Sequence, residues 1–421
     1  MPSRWKNFLK KLGPGFITGA SDDDPSGIAT YSQTGAQFGY TQLWTTLFSL
    51  PFMIVIQEMC GRIGMVTGTG LAGVIRKHHS KKILYAAVSL LMIANTINIG
   101  ADLGAMAAAA NLILGWPFIP LLIGMTLLTL VLEIFISYKT YAMFLKYLTL
   151  SLFAYIITLF IVKQPWNTIL WSTFVPHITF SKDYLMNIVA LLGTTISPYL
   201  FFWQADEEVE EEVAEGKLKA MGVGTPKIDA SDIKRMRIDT AMGMTFSNVI
   251  AFFIIATAAS TLGAHGITDI TTADQAAKAL EPLAGPFASL LFAIGIIGTG
   301  LLAVPVLAGS ASYALSEAFG WREGLYLKMK QAHGFYGIIT IATLGGLLIN
   351  FTHIPPFKVL YYTAVLNGVV SPPLMILILL IANDKKIMGK FVNGTWSNVL
   401  GWMITIVMGV VGLGVVGMMV V

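Results

Sequence analysis

A single cysteine, Cys60, stands in 421 residues. That excludes a disulfide framework and any multi-cysteine zinc site. Charge is scarce as well: Asp, Glu, Lys and Arg make up 12% of the chain, where a soluble domain carries roughly 25%. No soluble core of this length is so poor in charge. The Gly-Lys-Ser/Thr signature that cradles phosphate is missing, which excludes an ATP-driven machine. Six histidines (His78, His79, His177, His265, His333 and His353) fall in or near expected loops, so no histidine metal cage is in view. The opening MPSRWKNFLKKLG lacks the apolar run and cleavage site of a signal peptide and is expected to stay in the mature chain. The net charge of +4 is spread over short loops and argues against a nucleic-acid partner.

What is abundant is apolar sequence. Hydrophobic residues reach 55% and the mean hydropathy is +0.71. Apolar segments near the ~20 residues needed to cross a bilayer recur to the C-terminus. We read eleven helices, over 13–38, 42–66, 82–113, 117–138, 144–163, 184–204, 236–262, 284–317, 335–352, 357–382 and 397–420. The fold expected is therefore an all-α membrane protein, a single transmembrane domain over 1–421. With the N-terminus in the cytoplasm, 23 of the 27 Lys and Arg fall on the inner side; only Lys163, Lys182, Lys278 and Lys358 fall outside. Missing or inventing one helix would swap every later loop and collapse that bias. The chain is thus expected as a multi-pass protein of the cell (inner) membrane, C-terminus outside, with the lipid bilayer as its surroundings and no obligate protein partner.

Two segments break the helical pattern. In the first helix, Asp22-Asp23-Asp24-Pro25-Ser26-Gly27 sets three carboxylates beside a proline that lacks an amide hydrogen and a glycine that tolerates unwound geometry. Carbonyls freed around residues 21–24, next to a carboxylate, are what a hard cation needs to replace its water. In the sixth helix, Gly193-Thr194-Thr195-Ile196-Ser197-Pro198-Tyr199 repeats the device without the charge. The two breaks open two five-helix sets, repeat one about 13–163 and repeat two about 184–382, with 397–420 as an additional, peripheral helix. An offset of five helices makes the sets inverted, and paired interruptions point to a site between them. Successive helical positions point about 100° apart, so the three aspartates cannot all face one ion. Asp24, next to the proline, is the expected ligand; Asp22 and Asp23 are expected to face a watery vestibule.

Other polar groups are weighed alongside. Asp102 in the third helix either lines the site or pathway, or is a structural carboxylate bonded to Asn95 or Asn98. Glu58 and Glu133 are read as structural or gating groups. The acidic run DEEVEEEVAEG opens the segment 205–235, read as a helical extension and solvated linker, with a regulatory metal-sensing role as the alternative. Residues 267–285 are expected to hold a short outer amphipathic helix capped near Thr272. Gly-rich GIIGTGLLAVPVLAGS in the eighth helix is expected to serve close packing.

These segments resemble the NRAMP family of divalent metal transporters. GPGFITGASDDDPSGIATYSQTGAQFGY (13–40) is similar to the family's first helix, with its Asp-Pro-Gly-Asn motif. QEMCGRIGMVTGTGLAGVIR (57–76) is similar to its second helix and following loop, and GTTISPY and LEPLAG match in place. The resemblance implies the LeuT-type fold, with helices one and six unwound at the ion. By it, Asp24 is a ligating aspartate, and Ser21 and Thr194 offer backbone carbonyls. The family's asparagine falls on Gly27, its methionine on Ser197 and its histidine on Tyr199. Asp102 matches a family carboxylate, while a proton-pathway glutamate falls on Ala105. In the tenth helix the family's glutamine lies near Thr363, with Asn367 close by.

The substitutions share a direction. Thioether ligands favour soft metals, whereas oxygen ligands suit Mg²⁺, Ca²⁺ and Mn²⁺. The expectation is transport, not enzymatic chemistry or a resident cofactor: Mg²⁺ and Mn²⁺ as cargo, weak or absent proton coupling, and kinship with the magnesium-transporting branch. The alternatives are a proton-coupled Mn²⁺/Fe²⁺ importer and a sodium-driven carrier of an organic solute.

Overall fold

The computed structural model describes residues 13–136, 149–352 and 354–420. The basic start, the expected span ends at 137–138 and 144–148, the loop lysines Lys139 and Lys146, and His353 lie outside the described residues. Within them the structure is helical, with an isolated bridge between Ala220 and Val223.

The first expected helix is two. Helix α1 (Pro14–Asp22) ends before Asp23, and α2 (Pro25–Phe38) restarts at the proline. Pro25 occupies the first turn of α2, where its missing N–H costs nothing. Helix α3 (Trp44–Thr67) stops at Gly68, whose φ of 65° is left-handed. A short α4 (Leu71–His78) leads into α5 (Lys81–Leu114), started by Ser80 accepting from the Ile83 amide. Then come α6 (Phe118–Phe135), α7 (Phe153–Ile161) and α8 (Trp166–Phe174). Helix α8 fills a stretch read as a loop, because nine residues are too few to register as a span.

The sixth expected helix is again two, α9 (Lys182–Thr195) and α10 (Pro198–Ala214). Helix α11 (Ala230–Thr261) starts six residues earlier than its apolar run, because Asp229 and Asp232 form a capping box. The short helix Ala273–Ala277 is capped by Thr272 as expected. Helices α12 (Ala288–Phe319), α13 (His333–Ile349), α14 (Pro356–Asn383) and α15 (Thr395–Val420) complete the chain. Among the described residues, eight helices are long and apolar enough to cross a membrane. The shorter apolar helices Leu150–Ile161 and His333–Ile349, with the broken first helix, bring the described spans to the expected eleven. Large apolar side chains such as Leu127, Phe160 and Ile406 stay exposed, as a lipid-facing surface requires.

Packing follows an exchange between the two sets. Helices α1 and α2 lie on α11, the second helix of the other set, and α10 lies on α3. The third helices of the two sets, α5 and α12, pack on each other. Backbones meet closely at these seams: a Cβ on Gly19 would overlap the Gly243 backbone, and one on Gly64 the Ala205 carbonyl. Helix α15 rests on α14, α9 and α3 and has a third of its apolar stretch buried, consistent with a peripheral position.

The acidic run corrects the sequence reading. It does extend the helix, but it is not solvated: Asp206, Glu207, Glu208, Glu210 and Glu212 are all buried. Hydropathy alone misses this, because α3, α4 and α12 fold over the carboxylates. Glu58 is structural. It pairs with Arg62 at 2.8 Å and with Arg237 at 2.8 Å, joining α3 to α11. Arg62 also donates to Asn393 Oδ1 at 2.5 Å. Glu133 is buried, with Thr343 of α13 as its hydrogen-bonding neighbour.

The α1–α11 seam gives a direct stability test. Gly19→Ala forces a methyl into the Gly243 backbone and lowers stability by about 1–3 kcal/mol. Gly124, with nothing within 4 Å of an added Cβ, tolerates alanine unchanged. Thermal unfolding in detergent separates the two.

Candidate functional site

The site is built from the two chain interruptions. At the first, Asp23 (φ −81°, ψ 52°) leaves the helix and Asp24 (φ −70°, ψ 171°) is extended. Four carbonyls at the C-terminal end of α1 lose their intrahelical partners, as at any helix end. Asp24 caps α2. Its Oδ1 accepts from the Gly27 amide at 2.6 Å and from Ser26 Oγ at 2.7 Å. These two bonds fix the carboxylate and leave Oδ2 turned the other way. Oδ2 meets Asn98 Nδ2 of α5 at 3.2 Å and the Tyr199 hydroxyl at 3.4 Å.

The second interruption supplies the facing wall. Ile196 (φ −121°, ψ 64°) leaves α9, and Ser197 is extended before Pro198. Tyr199, on the first turn of α10, points its hydroxyl between Asp24 Oδ2 and the Ser21 carbonyl, 3.5 Å away. Thr194 Oγ1 stands 3.2 Å from where a Gly27 Cβ would be, and the Asp22 carbonyl 3.3 Å. Ser21, Asp24, Gly27, Thr194 and Tyr199 are thus brought together, all buried.

Other expected residues are placed differently. Ser197 Oγ donates to the Gly193 and Thr194 carbonyls, at 2.9 and 2.8 Å, so hydroxyl and carbonyl satisfy each other at this break. Thr363 Oγ1 donates to the Leu360 carbonyl of its own helix at 2.6 Å. Asn367 is tied to the second break through Ser371, which donates to both the Asn367 and Ile196 carbonyls; its own Nδ2 is buried without a partner. Asp22 and Asp23 do not face an open vestibule. Both are buried, and Ser247 of α11 donates to Asp22 Oδ2 at 2.6 Å and Asp23 Oδ1 at 3.2 Å. The packing of α1 against α11 closes that side.

Asp102 is fully buried; the Ser26 backbone is its hydrogen-bonding neighbour and Asp24 its main charged one. It is not bonded to either asparagine: Asn95 donates to the Leu307 carbonyl and Asn98 to Asp24. Asn98 and Ser247 went unrecognised as site residues. Asn98 had one signal, lying four positions before Asp102 and so on the same helix face; Ser247 had none. Met106, a turn beyond Asp102, packs its thioether on Gly300, which Pro25 also flanks. No group of three or more His, Cys, Asp or Glu side chains converges on a common ion position among the described residues. The chemistry on offer is one carboxylate oxygen, a phenol and main-chain carbonyls, a donor set suited to a hard cation.

Two inverted sets with a broken helix opening each define a multi-pass membrane transporter of LeuT type. Within that class the chain belongs to the NRAMP family: residues 15–417 match the family described as natural resistance-associated macrophage protein-like. Among curated relatives, the "Divalent metal cation transporter MntH" of Caldanaerobacter subterraneus subsp. tengcongensis is 26% identical over 402 residues, covering 94% of this chain and 90% of the relative. The protein of the same name from Latilactobacillus sakei subsp. sakei is 28% identical over 421 residues, covering 96% and 88%. The fold is shared with the crystal structure of the Eremococcus coleocola manganese transporter in complex with an aromatic bis-isothiourea compound: TM-score 0.76, 18% identity, 98% of this chain and 87% of that one covered. It is shared more loosely with a nucleobase-cation-symport-1 family transporter, at TM-score 0.62 and 12% identity, with 96% and 90% covered.

Removing the α5 donor tests the geometry. Asn98→Leu leaves Asp24 Oδ2 buried with one long contact, and stability falls by about 1–3 kcal/mol. The readout is thermal unfolding in detergent without added metal.

Proposed function

We propose that the protein carries divalent metal cations across the membrane by alternating access, with Mg²⁺ and Mn²⁺ as its cargo, and that it falls in the magnesium-transporting branch of its family. The observation that carries this is the position of Asp24. Its Oδ1 is fixed by Ser26 and Gly27, and its Oδ2 faces the Ser21 carbonyl and the Tyr199 hydroxyl across the junction of the breaks. The names of the relatives support a divalent metal as cargo. Ser197 and Gly27 contribute no side-chain ligand, so an ion held here keeps part of its water shell, and Mg²⁺ dehydrates reluctantly.

In this reading Asp24 is the charged ligand, with the Ser21 carbonyl, Tyr199 and retained water completing the shell, and the Thr194 carbonyl joins when Ser197 releases it. Thr363 and Asn367 contribute from α14 when the site rearranges. Asp102 sets the negative potential of the path, while Asp22 and Asp23 fasten α1 to α11 through Ser247. The N-terminus lies in the cytoplasm of a cell whose plasma membrane holds the protein. The membrane potential then favours entry, at about 4.6 kcal/mol per 100 mV for two charges. Proton coupling is weak or absent, since Tyr199 and Ala105 stand where the family has titrating groups. One observation favours the alternative of a proton-coupled Mn²⁺/Fe²⁺ importer: Asp102 is buried without a cation beside it and has Asp24 as its main charged neighbour.

Purified protein in liposomes, loaded with a metal indicator and a pH-sensitive dye, decides between them. Uptake of Mg²⁺ and Mn²⁺ without acidification supports the uncoupled reading; acidification in step with metal entry overturns it. In the same assay Asp24→Ala abolishes uptake while the protein stays folded, and near-wild-type uptake refutes its role as ligand. Ser197→Met shifts preference toward Cd²⁺ relative to Mg²⁺; an unchanged selectivity profile removes the argument from ligand softness.

A further inference from the structure

A second group of buried acids lies away from the breaks, where α10, α12 and α4 meet. Glu317, near the end of α12, reaches the start of α4. Its Oε1 accepts from Thr69 Oγ1 at 2.7 Å and the Gly70 amide at 2.5 Å, and its Oε2 accepts from the Gly73 amide at 2.8 Å. The donors of that helix start are thereby engaged. Asp206 of α10 lies against the same turn, close enough that a Cβ on Gly70 would overlap its Oδ1. Yet Asp206 is fully buried and neither of its carboxylate oxygens has a hydrogen-bond partner. Its main charged neighbours are Glu317, Glu323, Glu210 and Glu207, every one acidic. Glu323, on the segment after α12, is buried with Oε2 also unpartnered. Glu210, one turn beyond Asp206, accepts from the Tyr313 hydroxyl and the Leu325 amide.

An uncompensated carboxylate surrounded by carboxylates calls for a cation. A cleft of about 880 Å³ reaches Glu317 and Glu323, which stand in its wall; Asp206 does not line it. Arg76, Lys77, Lys219 and Arg322 also line that cleft. Arg76 directs one guanidinium nitrogen at the Glu317 carbonyl, 3.1 Å away. Arg76 and Lys77 are charged neighbours of Glu323, and Lys77 of Glu317, whereas the main charged neighbours of Asp206 are the acids named above.

We propose that Asp206, Glu317 and Glu323 form a second divalent-cation site, separate from the breaks, which ties α10 to α12. No three of these carboxylates converge tightly enough to hold a bare ion, so it binds with part of its water shell retained, as Mg²⁺ does. Helix α10 is one half of the second broken helix, whereas α12 is packed along α5. An ion shared between them holds α10 in place and restrains opening of the path on this side. With the orientation proposed above, that side is the cytoplasm, so the accumulated cation slows its own further entry. The site itself does not depend on that orientation.

Mn²⁺ titrated into detergent-purified protein, followed by loss of the free-ion electron paramagnetic resonance signal, tests this. Comparing Asp24→Ala with Asp24→Ala/Asp206→Asn/Glu323→Gln, the first retains one Mn²⁺ per chain and the second binds it about tenfold or more weakly. The same pair of substitutions in the wild-type background removes one of two bound ions; if Asp24 is no ligand, this loss persists while Asp24→Ala changes nothing. Unchanged Mn²⁺ binding on adding Asp206→Asn/Glu323→Gln overturns the proposal. So does absence of saturable binding in Asp24→Ala protein. Thermal unfolding supplies a second readout: in EDTA the Asp206→Asn/Glu323→Gln protein melts no lower than wild type, and it loses the rise in Tm that Mn²⁺ gives wild type. A lower Tm in EDTA, with the Mn²⁺ increment intact, assigns the acids a structural role and refutes the site.

Discussion

A lipid interior offers no hydrogen bonds, so irregular backbone survives there only where protein surrounds it. That constraint governs this structure. Two interrupted helices place unpaired backbone inside the bundle, and every neighbouring element serves to enclose or satisfy it. Asp24 caps the restarting α2 with Oδ1, Ser197 returns its hydroxyl to the Gly193 and Thr194 carbonyls, and Ser371 and Ser310 donate to the Ile196 and Tyr199 carbonyls. One interruption is left with a carboxylate oxygen and a carbonyl facing a phenol; the other is closed by its own serine. The asymmetry matches the charge: of the two breaks, only the first carries a carboxylate.

Much of this was legible from sequence. Prolines beside glycine or serine in corresponding helices located both interruptions within a residue or two, because proline removes a donor wherever it stands. The span count followed from hydropathy and the distribution of Lys and Arg. What sequence could not supply was tertiary. The acid run from Asp206 to Glu212 has the composition of a solvated helix, and only the fold shows α3, α4 and α12 wrapped around it. The triple aspartate looked like a vestibule because periodicity separates the three side chains; it does not say that α11 lies against two of them. Ser247 sits in an unremarkable stretch of α11, and nothing in its neighbours marks it as the donor both carboxylates share.

The carboxylates divide into two kinds. Glu58 has Arg62 and Arg237, and its role is to fasten α3 to α11. Glu317 has Lys77 as a charged neighbour and holds three donors at the start of α4. Asp102 has only the Ser26 backbone and Asp206 has neither, and both lie where elements from different sets meet. Burying a charge without a partner is costly, so such groups persist where something other than stability retains them.

The seam between α1 and α11 carries a mechanical implication. Backbone touches backbone at Gly15, Gly19 and Gly243, and the shared serine pins the end of α1 to the same partner. Helix α2 is held the same way, since a Cβ on Gly35 would overlap the Ile255 carbonyl. With no side-chain layer to slide on either side, α11 braces both halves of the first broken helix, and Asp23 and Asp24 span the gap between two anchored ends. The residue we assign to the ion is therefore aimed by a rigid frame, and a displacement of α11 carries the whole break with it.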